Sequence, residues 1–337
     1  MKTKFNPRID QIWAVHLPWS VSSGEGGSVY PAYPHSLHLP QYLSYLFTGI
    51  PVSEYTSIGC HTALWNFEKQ DYHDWVYKEE IHKMLPSIVD TGTSINTDLM
   101  GHQIKVGVGI HDSSSALLPY IRSIDKKFIL LSTGTWSIVL NPFTKGLLTD
   151  EDSVSDCIYY MRINGEPVKA ARLFLGNEYN EKIKELSQHF KVPQNHHESI
   201  TFNVGLYQKL NDNFSHKFKW TSLAVASPKT RAPMNFKTYE EGYHQLMMEL
   251  AELQIESIKR AIGANDIDQL YIDGGFANNT IFVELLARGL NGMDVKTTDA
   301  SLGSALGAAI AISNIELDQK FLKKNYALKK HRSLIAN

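Results

Sequence analysis

The most constraining feature of the sequence is an alternation of helical and strand patterns over residues 238–312. Thr238 and Glu241 have the spacing of a capping box, and the apolar residues behind them recur mostly every three or four positions up to Gly263. The elements predicted beyond this helix are strand Leu270–Ile272, helix Thr280–Arg288, strand Val295–Thr297 and helix Leu302–Ile312. Because this alternation is typical of α/β domains, we expect an α/β fold.

Polar residues follow two predicted strands within residues 105–142. Strand Lys105–Ile110 ends on His111 and Asp112, and strand Phe128–Leu131 runs into the turn Ser132–Ser137 before the chain returns as Ile138–Leu140. A turn with glycine at its tip and hydroxyls on either side can point several backbone N–H groups at one anion. A carboxylate near a phosphate-binding turn is what phosphoryl transfer requires, so this stretch predicts a phosphoryl-transfer site.

Each of these residues also has a simpler interpretation. Asp112, or the serine after it, can cap the predicted helix Ser114–Ile121, and the residues alone favour the cap. A metal-dependent hydrolase built on His111 and Asp112 would need further His or Asp ligands, and no supporting motif is present. The Ser132–Ser137 segment can be an ordinary hairpin in which Trp136 is a packing residue.

A second candidate site follows strand Leu270–Ile272. Gly274 and Gly275 lie between a predicted strand and a predicted helix, where they would let a ligand approach the backbone. Asn278 and Asn279 add side-chain amides at the start of that helix. A tight turn with an Asn cap explains the same residues equally well. The small-residue run Ala305–Ala309 predicts close helix packing.

Two stretches resemble nucleotide-binding motifs without meeting their physical requirements. Gly107 and Gly109 match part of a dinucleotide fingerprint, but Asp112 occupies the third glycine position, where a carboxylate would face the pyrophosphate. Residues 90–94 read D-T-G-T-S, yet only Ile88 and Val89 precede them and a polar run follows. We therefore interpret residues 86–104 as a linker and place the domain boundary there.

Composition excludes several partner classes. A formal net charge of −2 gives no support for binding to nucleic acid or a membrane surface, and the basic residues near the end fit a solvated helix face. Cys60 and Cys157 lie far apart and belong to no metal-spaced set, which favours a reducing cytoplasm. With no long apolar stretch and no signal peptide pattern, the expected location is cytoplasmic.

The remaining periodic stretches predict shorter elements. Residues 40–49 predict a helix whose apolar face is formed by Tyr42, Leu43, Leu46 and Phe47, and whose end is Gly49. The other predicted elements are a helix at 75–85, a strand at Ile158–Ile163 followed by a turn, and a helix at Ala170–Leu186. Residues 20–34 predict an irregular loop.

In order along the chain, the segments GIHDSSSALLPYI, LLSTGTWSIVLNP, YIDGGFANNTIFVELLARGL and ALGAAIA resemble the FGGY carbohydrate kinases, with the closest likeness to the rhamnulokinase and fuculokinase branch. HLPQYLSYLFTG and TSIGCHTALWNF look like the closing part of the family's first domain. The resemblance spans about residues 36–313 and is weakest over 143–235. It implies an actin-like ATPase (ribonuclease H-like) fold with the second domain complete and the first partial.

The resemblance also implies roles for individual residues. Asp112 matches the family's catalytic base, which takes the proton of the sugar hydroxyl, and His111 and Asp112 would contact the sugar. The residues that match the second phosphate loop or the adenosine motif, and so would bind the nucleotide, are Thr133, Gly134, Thr135, Gly274, Gly275, Phe276 and Asn279. The implied cofactors are ATP and Mg²⁺, with the metal bridging the phosphates and no protein side chains assigned to it.

The chain departs from the family at its beginning. The family starts with a D-x-G-T-type phosphate loop, whereas residues 1–35 match nothing there. We expect a partial N-terminal domain at 1–104, a C-terminal domain at 105–337, and phosphorylation of a ketose such as L-rhamnulose, L-fuculose or xylulose, impaired because that loop is missing. The alternative is an inactive nucleotide-binding or structural fragment. Self-association as a homodimer is expected because the apolar helices of a partial domain need a partner.

Overall fold

A computed structural model describes residues 14–15, 35–145, 148–149, 152, 154–223, 235–300, 302–313 and 315–331. The chain divides into two compact units. The first comprises Met1–Arg122, Tyr159–Val168 and Leu302–Leu317, and the second comprises Ser123–Ile158, Lys169–Ser301 and Asp318–Asn337. These units are defined by contacts within the chain, whereas the domains expected at 1–104 and 105–337 are family units and stay a prediction. The loop predicted at 20–34 lies outside the described residues.

The two longest helices described, of 16 and 24 residues, lie in the second unit. The strands are β1 Ala14–Val15, β2 Leu37–His38, β3 Ser53–Glu54, β4 Trp65–Asn66, β5 Asp71–Tyr72, β6 Ile88–Val89, β7 Ser94–Leu99, β8 His102–Gly107, β9 Ile129–Thr133, β10 Ser137–Asn141, β11 Cys157–Met161, β12 Pro167–Leu173, β13 Gln269–Gly274, β14 Asp294–Thr297 and β15 Lys329–His331. The helices are α1 Leu39–Thr48, α2 Tyr55–Gly59, α3 Asp74–Lys78, α4 Asp112–Ser123, α5 Leu175–Phe190, α6 Val204–Asn211, α7 Tyr239–Ile262, α8 Thr280–Gly289, α9 Gly303–Ala311 and α10 Phe321–Asn325.

Helix α1 has the predicted ends but not the predicted buried face. Pro40 lies in its first turn, and Gly49 closes it with φ +68°. The apolar side chains are outside, with Leu46 57% exposed, whereas the buried residues are Gln41 and Ser44. Gln41 Nε2 donates to the Val108 carbonyl at 3.3 Å, and Ser44 Oγ donates to the Gly107 carbonyl at 2.8 Å. The polar face is buried because the carbonyls at the end of β8 need donors.

The D-T-G-T-S segment is a turn between two strands, so the expectation that no strand follows it is wrong. β6 pairs with β3 in parallel, and β7 pairs with β8 in an antiparallel hairpin. Within the turn, Gly92 N–H donates to Asp90 Oδ1 at 2.7 Å. The polar residues of β7 are compatible with a strand because none of them is buried in this two-stranded hairpin.

Other predicted bounds shift for local or tertiary reasons. The strand predicted at Lys105–Ile110 is observed three residues earlier, as β8. The helix predicted at 75–85 is interrupted at Glu80, whose φ is +59°, and resumes as a 3₁₀ helix at Ile81–Met84. The helix predicted at Ala170–Leu186 begins only at Leu175, because Ala170–Leu173 pairs with β10.

The second unit is built on a seven-stranded mixed sheet. Its strand order is β11-β12-β10-β9-β13-β14-β15. β12, β10 and β9 are antiparallel neighbours, β13 is parallel to both β9 and β14, and β15 is antiparallel to β14. The central strands are apolar on both faces, as parallel strands covered by helices require.

The predicted helix signals of the second unit are confirmed. Thr238 Oγ1 accepts from Glu241 N–H at 3.1 Å, which satisfies one free donor at the start of α7. Glu241 Oε2 reaches back to Lys237 N–H, one residue before the cap, at 2.6 Å. Leu246, Met247 and Leu250 are fully buried in the core that α5, α7 and α8 share with the sheet. The predicted strand–helix–strand order over 270–297 is observed as β13, α8 and β14.

Gly109 is required by packing as well as by its backbone conformation. Its φ is +94°, and a Cβ there would lie 2.6 Å from the carbonyl carbon and oxygen of Pro40. Gly101 has a similar φ of +83° but open space around it. The two glycines therefore separate backbone strain from steric contact.

We predict that Gly109→Ala destabilises the protein more than Gly101→Ala. The conformational strain costs about 1–2 kcal/mol in either variant, and the contact with Pro40 adds roughly 1–3 kcal/mol at Gly109. Urea unfolding at 25 °C measures the difference. Equal losses in the two variants would show that α1 moves freely away from Gly109.

Candidate active site

Two glycine-containing turns lie side by side at one edge of the seven-stranded sheet. β9 and β13 are parallel neighbours, and Thr133 is paired with Gly274 in their register. Because the carboxyl ends of parallel strands meet at the same edge, the turn after β9 and the turn after β13 are adjacent. Residues 134–136 and the two glycines 274 and 275 are exposed there. This edge brings together both predicted nucleotide-binding motifs.

Thr133 joins the two turns. Its side chain is buried, its Oγ1 donates to the Asp273 carbonyl at 2.5 Å, and the same oxygen accepts from Phe276 N–H at 3.1 Å. A hydroxyl has one hydrogen, and here that hydrogen is directed at a backbone carbonyl. Thr133 therefore holds the second turn against the first.

Gly274 and Gly275 are required for different reasons. Gly274 has φ +86°, and a Cβ there would lie 1.9 Å from the Thr133 carbonyl oxygen, so no other residue fits between the strands. A Cβ on Gly275 would have no atom within 4 Å. The open backbone at Gly275 fits a ligand that approaches the main chain closely, such as a nucleotide.

Phe276 and Asn279 are already engaged by the protein. Asn279 Oδ1 accepts from Phe282 N–H at 3.1 Å, which caps α8, and its Nδ2 donates to Tyr243 Oη at 2.8 Å. Phe276 is buried, with its ring 5.0 Å from that of Tyr179. The alternative interpretation of this stretch as a turn with an Asn cap is therefore observed, and the backbone is the part that a ligand can reach.

The hairpin tip after β9 is closed by the first turn of α5. Gly134 N–H donates to the Trp136 carbonyl at 2.8 Å, and Asn177 N–H donates to the Thr135 carbonyl at 3.3 Å. A Cβ on Gly176 would lie 1.9 Å from the Gly134 carbonyl oxygen. Gly176 was missed from the sequence because it falls inside the helix predicted at 170–186, where an isolated glycine carries little signal.

Trp136 is a half-exposed packing residue. Its ring centroid is 4.6 Å from that of Phe174, and the Arg172 guanidinium lies 5.5 Å from the centre of the Trp136 ring. These contacts hold the indole on the hairpin, in agreement with the sequence interpretation.

Asp112 is the first residue of α4, in the first unit. Its side chain is 80% exposed. Asp112 Oδ1 accepts from the N–H of the adjacent Ser113 at 2.6 Å and lies 3.1 Å from His111 Nδ1. These partners are its immediate chain neighbours, whereas an N-cap side chain bonds two or three residues ahead. The carboxylate thus remains accessible to a substrate hydroxyl.

His111 is directed at a second histidine. Its ring is largely buried, and its Nε2 lies 3.0 Å from His61 Nε2. Burial lowers the pKa of His111 to about 4, Asp112 opposes this, and His61 and His38 add to it. Burial likewise lowers the pKa of His38 to about 4, with His61 contributing. His111 and His38 are therefore neutral at pH 7.

Sequence reasoning also missed Glu54, a fully buried carboxylate in the first unit that accepts hydrogen bonds from Thr56, Ser57 and Thr91. His61 was quoted within a resembling segment but not singled out. Glu54 caps α2, but glutamate is not among the residues preferred at an N-cap, so the sequence carried no clear signal for it.

The described residues contain neither a cluster of metal ligands nor a helix that could span a membrane. Within that part of the chain, no group of three or more His, Cys, Asp or Glu side chains could hold a metal ion. None of the helices described is both long enough and apolar enough to cross a bilayer.

The topology and the comparisons define the class of fold. The antiparallel strands β12-β10-β9, continued by the parallel strands β13 and β14, form the α/β fold of the actin-like ATPases, as predicted. Residues 125–210 match a family model described as the carbohydrate kinase FGGY C-terminal domain. A search of curated proteins found no match.

Solved sugar kinases share this fold. A carbohydrate kinase from Novosphingobium aromaticivorans aligns with a TM-score of 0.70 and 22% identity, covering 89% of this chain and 64% of that one. A ligand-bound xylulose kinase from Lactobacillus acidophilus aligns with a TM-score of 0.67 and 12% identity, with coverage of 89% and 64%. A Plasmodium falciparum glycerol kinase with ADP aligns with a TM-score of 0.58 and 17% identity, covering 82% of this chain and 57% of that one. The chain thus spans somewhat under two thirds of these relatives.

We predict that acid weakens the fold through His38 and His111. Because their folded-state pKa values, about 4, lie below the ordinary 6.5, the unfolded chain binds these protons first as pH falls. Their contribution is present above about pH 6.5 and is lost as pH approaches 4, at a cost of about 3 kcal/mol per histidine at most. Urea unfolding between pH 7 and 4.5 measures the loss.

His38→Gln should make the free energy of unfolding less dependent on pH, because the variant lacks one of the two histidines that bind a proton more readily in the unfolded chain. His102→Gln, at an exposed position, serves as the control. The same slope in the parent and in His38→Gln would contradict the prediction.

Proposed function

We propose that this chain carries the nucleotide-binding and catalytic residues of an ATP-dependent sugar kinase. The observation that carries the proposal is the register of β9 and β13, which aligns Thr133 with Gly274 and so joins two motifs that the FGGY resemblance assigns to the nucleotide. The match of residues 125–210 to the FGGY C-terminal domain supports it. The chain spans under two thirds of the length of these kinases, and we propose that it shares their activity.

In this proposal the two turns bind the nucleotide through the main chain. Gly275 offers open backbone, Gly134 and Thr135 form the exposed hairpin tip, and Thr133, Phe276 and Asn279 hold the turns in shape from within. ATP supplies the transferred phosphoryl group, and Mg²⁺ neutralises charge on the phosphates. Rigid turns favour transfer because alignment, more than covalent chemistry, lowers the barrier in this reaction class.

Asp112 acts as the general base. Its exposed carboxylate accepts the proton of the sugar hydroxyl as that oxygen attacks the γ-phosphorus, and general bases contribute roughly 10²–10⁴-fold to rate. His111 is neutral, its Nε2 lies 3.0 Å from His61 Nε2, and its Nδ1 accepts from Ser113 N–H at 3.2 Å. Its proposed contact with the sugar therefore requires that one of these bonds is exchanged for a bond to the substrate. The proposed substrates are ketoses such as L-rhamnulose, L-fuculose or xylulose, as the rhamnulokinase and fuculokinase likeness implies.

A second candidate is a nucleotide-binding protein of the same fold without turnover. This second candidate is supported by the partial alignment, because the chain covers 64% of the Novosphingobium enzyme. The two candidates share the nucleotide site and differ only in the chemistry assigned to Asp112.

The test combines calorimetric titration with Mg²⁺–ATP and a coupled assay for ADP release with each of the three ketoses. A kinase should bind ATP and turn over at least one ketose, and Asp112→Asn should keep ATP affinity within about twofold while losing roughly 10²–10⁴-fold in kcat. Asp266→Asn, an exposed carboxylate on the loop before β13, is the matched control. ATP binding without turnover in the parent supports the second candidate, and absence of ATP binding contradicts both.

The homodimer expected from the sequence is also a proposal. Leu39, Leu43, Leu46 and Phe47 leave about half of their side-chain surface exposed along α1, which forms an apolar stripe. We expect multi-angle light scattering to give twice the chain mass of 38.1 kDa at tens of micromolar. Leu46→Glu should shift the mass toward one chain, and a parent that is monomeric at these concentrations would contradict the prediction.

A further inference from the structure

Glu54 is a fully buried carboxylate, and its hydrogen-bonding partners in the described part of the chain are all uncharged. Oε1 accepts from Ser57 N–H at 2.5 Å and lies 3.4 Å from Gln41 Nε2, and Oε2 accepts from Thr56 N–H at 2.8 Å. The hydroxyls of Thr56 and Thr91 complete the set. Since an unpaired buried charge is costly, this many oriented donors indicate a carboxylate that organises its surroundings.

Thr56 connects this carboxylate to the peptide before Asp112. Its Oγ1 lies 2.8 Å from Glu54 Oε1 and 2.9 Å from Glu54 Oε2, so its single hydrogen is directed at the carboxylate. The same oxygen must then present its lone pairs elsewhere, and it accepts from His111 N–H at 2.9 Å. The position of the Glu54 carboxyl group therefore determines the direction in which the Thr56 hydroxyl can accept.

The His111 peptide is in turn the start of α4. The His111 carbonyl accepts from Ser115 N–H at 2.9 Å, which makes the first turn of the helix. Because the partners of the Asp112 side chain within the described residues are its two neighbours in the chain, its direction follows from the backbone at His111 and Asp112. A hydrogen bond that fixes His111 N–H therefore fixes where the Asp112 carboxylate points.

Thr91 provides a built-in comparison. Its hydroxyl donates to Glu54 Oε2 at 2.8 Å, and like Thr56 it is almost completely buried. Thr91 belongs to the D-T-G-T-S turn and not to the segment before Asp112. Removing either hydroxyl takes one donor from Glu54, but only the loss of Thr56 releases the peptide before Asp112.

We propose that Glu54 and Thr56 are positioning residues for Asp112: the buried carboxylate orients the Thr56 hydroxyl, which holds the His111 peptide and so aims the Asp112 carboxylate. This inference rests on the proposed kinase function for its catalytic consequence. Its structural part, the restraint on the His111 amide, stands independently of turnover.

The first measurement is hydrogen–deuterium exchange of the His111 amide, resolved by mass spectrometry on overlapping peptides. In the parent, this amide should exchange as slowly as the amides inside α4. Thr56→Val, which keeps the shape and removes the acceptor, should speed its exchange by at least about tenfold, whereas Thr56→Ser and Thr91→Val should leave it slow. A fast amide in the parent, or a slow one in Thr56→Val, would overturn the proposal.

The second measurement is steady-state kinetics of the same variants with the ketose that the parent phosphorylates. Thr56→Val should lower kcat by about ten- to a hundredfold with the KM for ATP unchanged, because the base is misdirected while the nucleotide turns are intact. Thr56→Ser should keep kcat within about threefold of the parent value. Thr91→Val should also keep kcat within about threefold of the parent value, although it loses about as much stability as Thr56→Val. Equal kcat losses in Thr56→Val and Thr91→Val would reduce Thr56 to a stabilising residue and reject the proposal.

The two measurements separate this inference from the proposed function. If the parent shows no turnover but the His111 amide responds only to Thr56→Val, the kinase activity fails and the restraint on the peptide stands. If Thr56→Val does not fold, exchange in the parent and in Thr56→Ser still decides, because both must keep the amide slow.

Discussion

The parallel pairing of β9 with β13 is the interaction on which the rest of the second unit depends. It joins Ile129–Thr133 to Leu270–Gly274, segments about 140 residues apart, and both strands are buried. Such a non-local pairing must overcome a large loop-closure entropy, and here the burial of apolar side chains on both faces stabilises it. The contacts of Thr133 with Asp273 and Phe276 then extend the pairing by one turn beyond the strands. The shape of the candidate nucleotide site is a consequence of this register.

Glycine has a steric role at most positions where the sequence suggested a ligand. A Cβ on Gly274 would meet Thr133, one on Gly109 would meet Pro40, and one on Gly107 would lie 2.9 Å from Ile312. Gly107 and Gly109, which resemble a dinucleotide fingerprint, are therefore explained by the close approach of helix and chain segments. Gly275 is different because the space beside it is open, which makes it the position most suited to ligand contact.

Buried polar groups have a comparable organising role in the first unit. Strands β2 to β6 are two residues long and helices α2 and α3 five, so they provide few backbone hydrogen bonds. Side chains such as Glu54, Gln41 and Ser44 satisfy backbone groups that remain. Each of these side chains bonds a particular backbone group, which makes the network specific for one arrangement. This explains why α1 buries a polar stripe and exposes its apolar one, against the usual expectation for a helix.

The sequence by itself determined the α/β class, the capped helices α7 and α8, and the β9–β10 hairpin, because capping boxes, glycine turns and apolar strands act through local contacts that a short window contains. It also identified the segments of the candidate site. Only the tertiary structure decided that residues 170–173 form a strand and that the apolar face of α1 is exposed. It also decided that Glu54 is connected through the Thr56 hydroxyl to the peptide before Asp112. These outcomes depend on partners far away in the chain, such as β10 for Ala170–Leu173 and Thr91 for Glu54, and no local pattern encodes the identity of a distant partner.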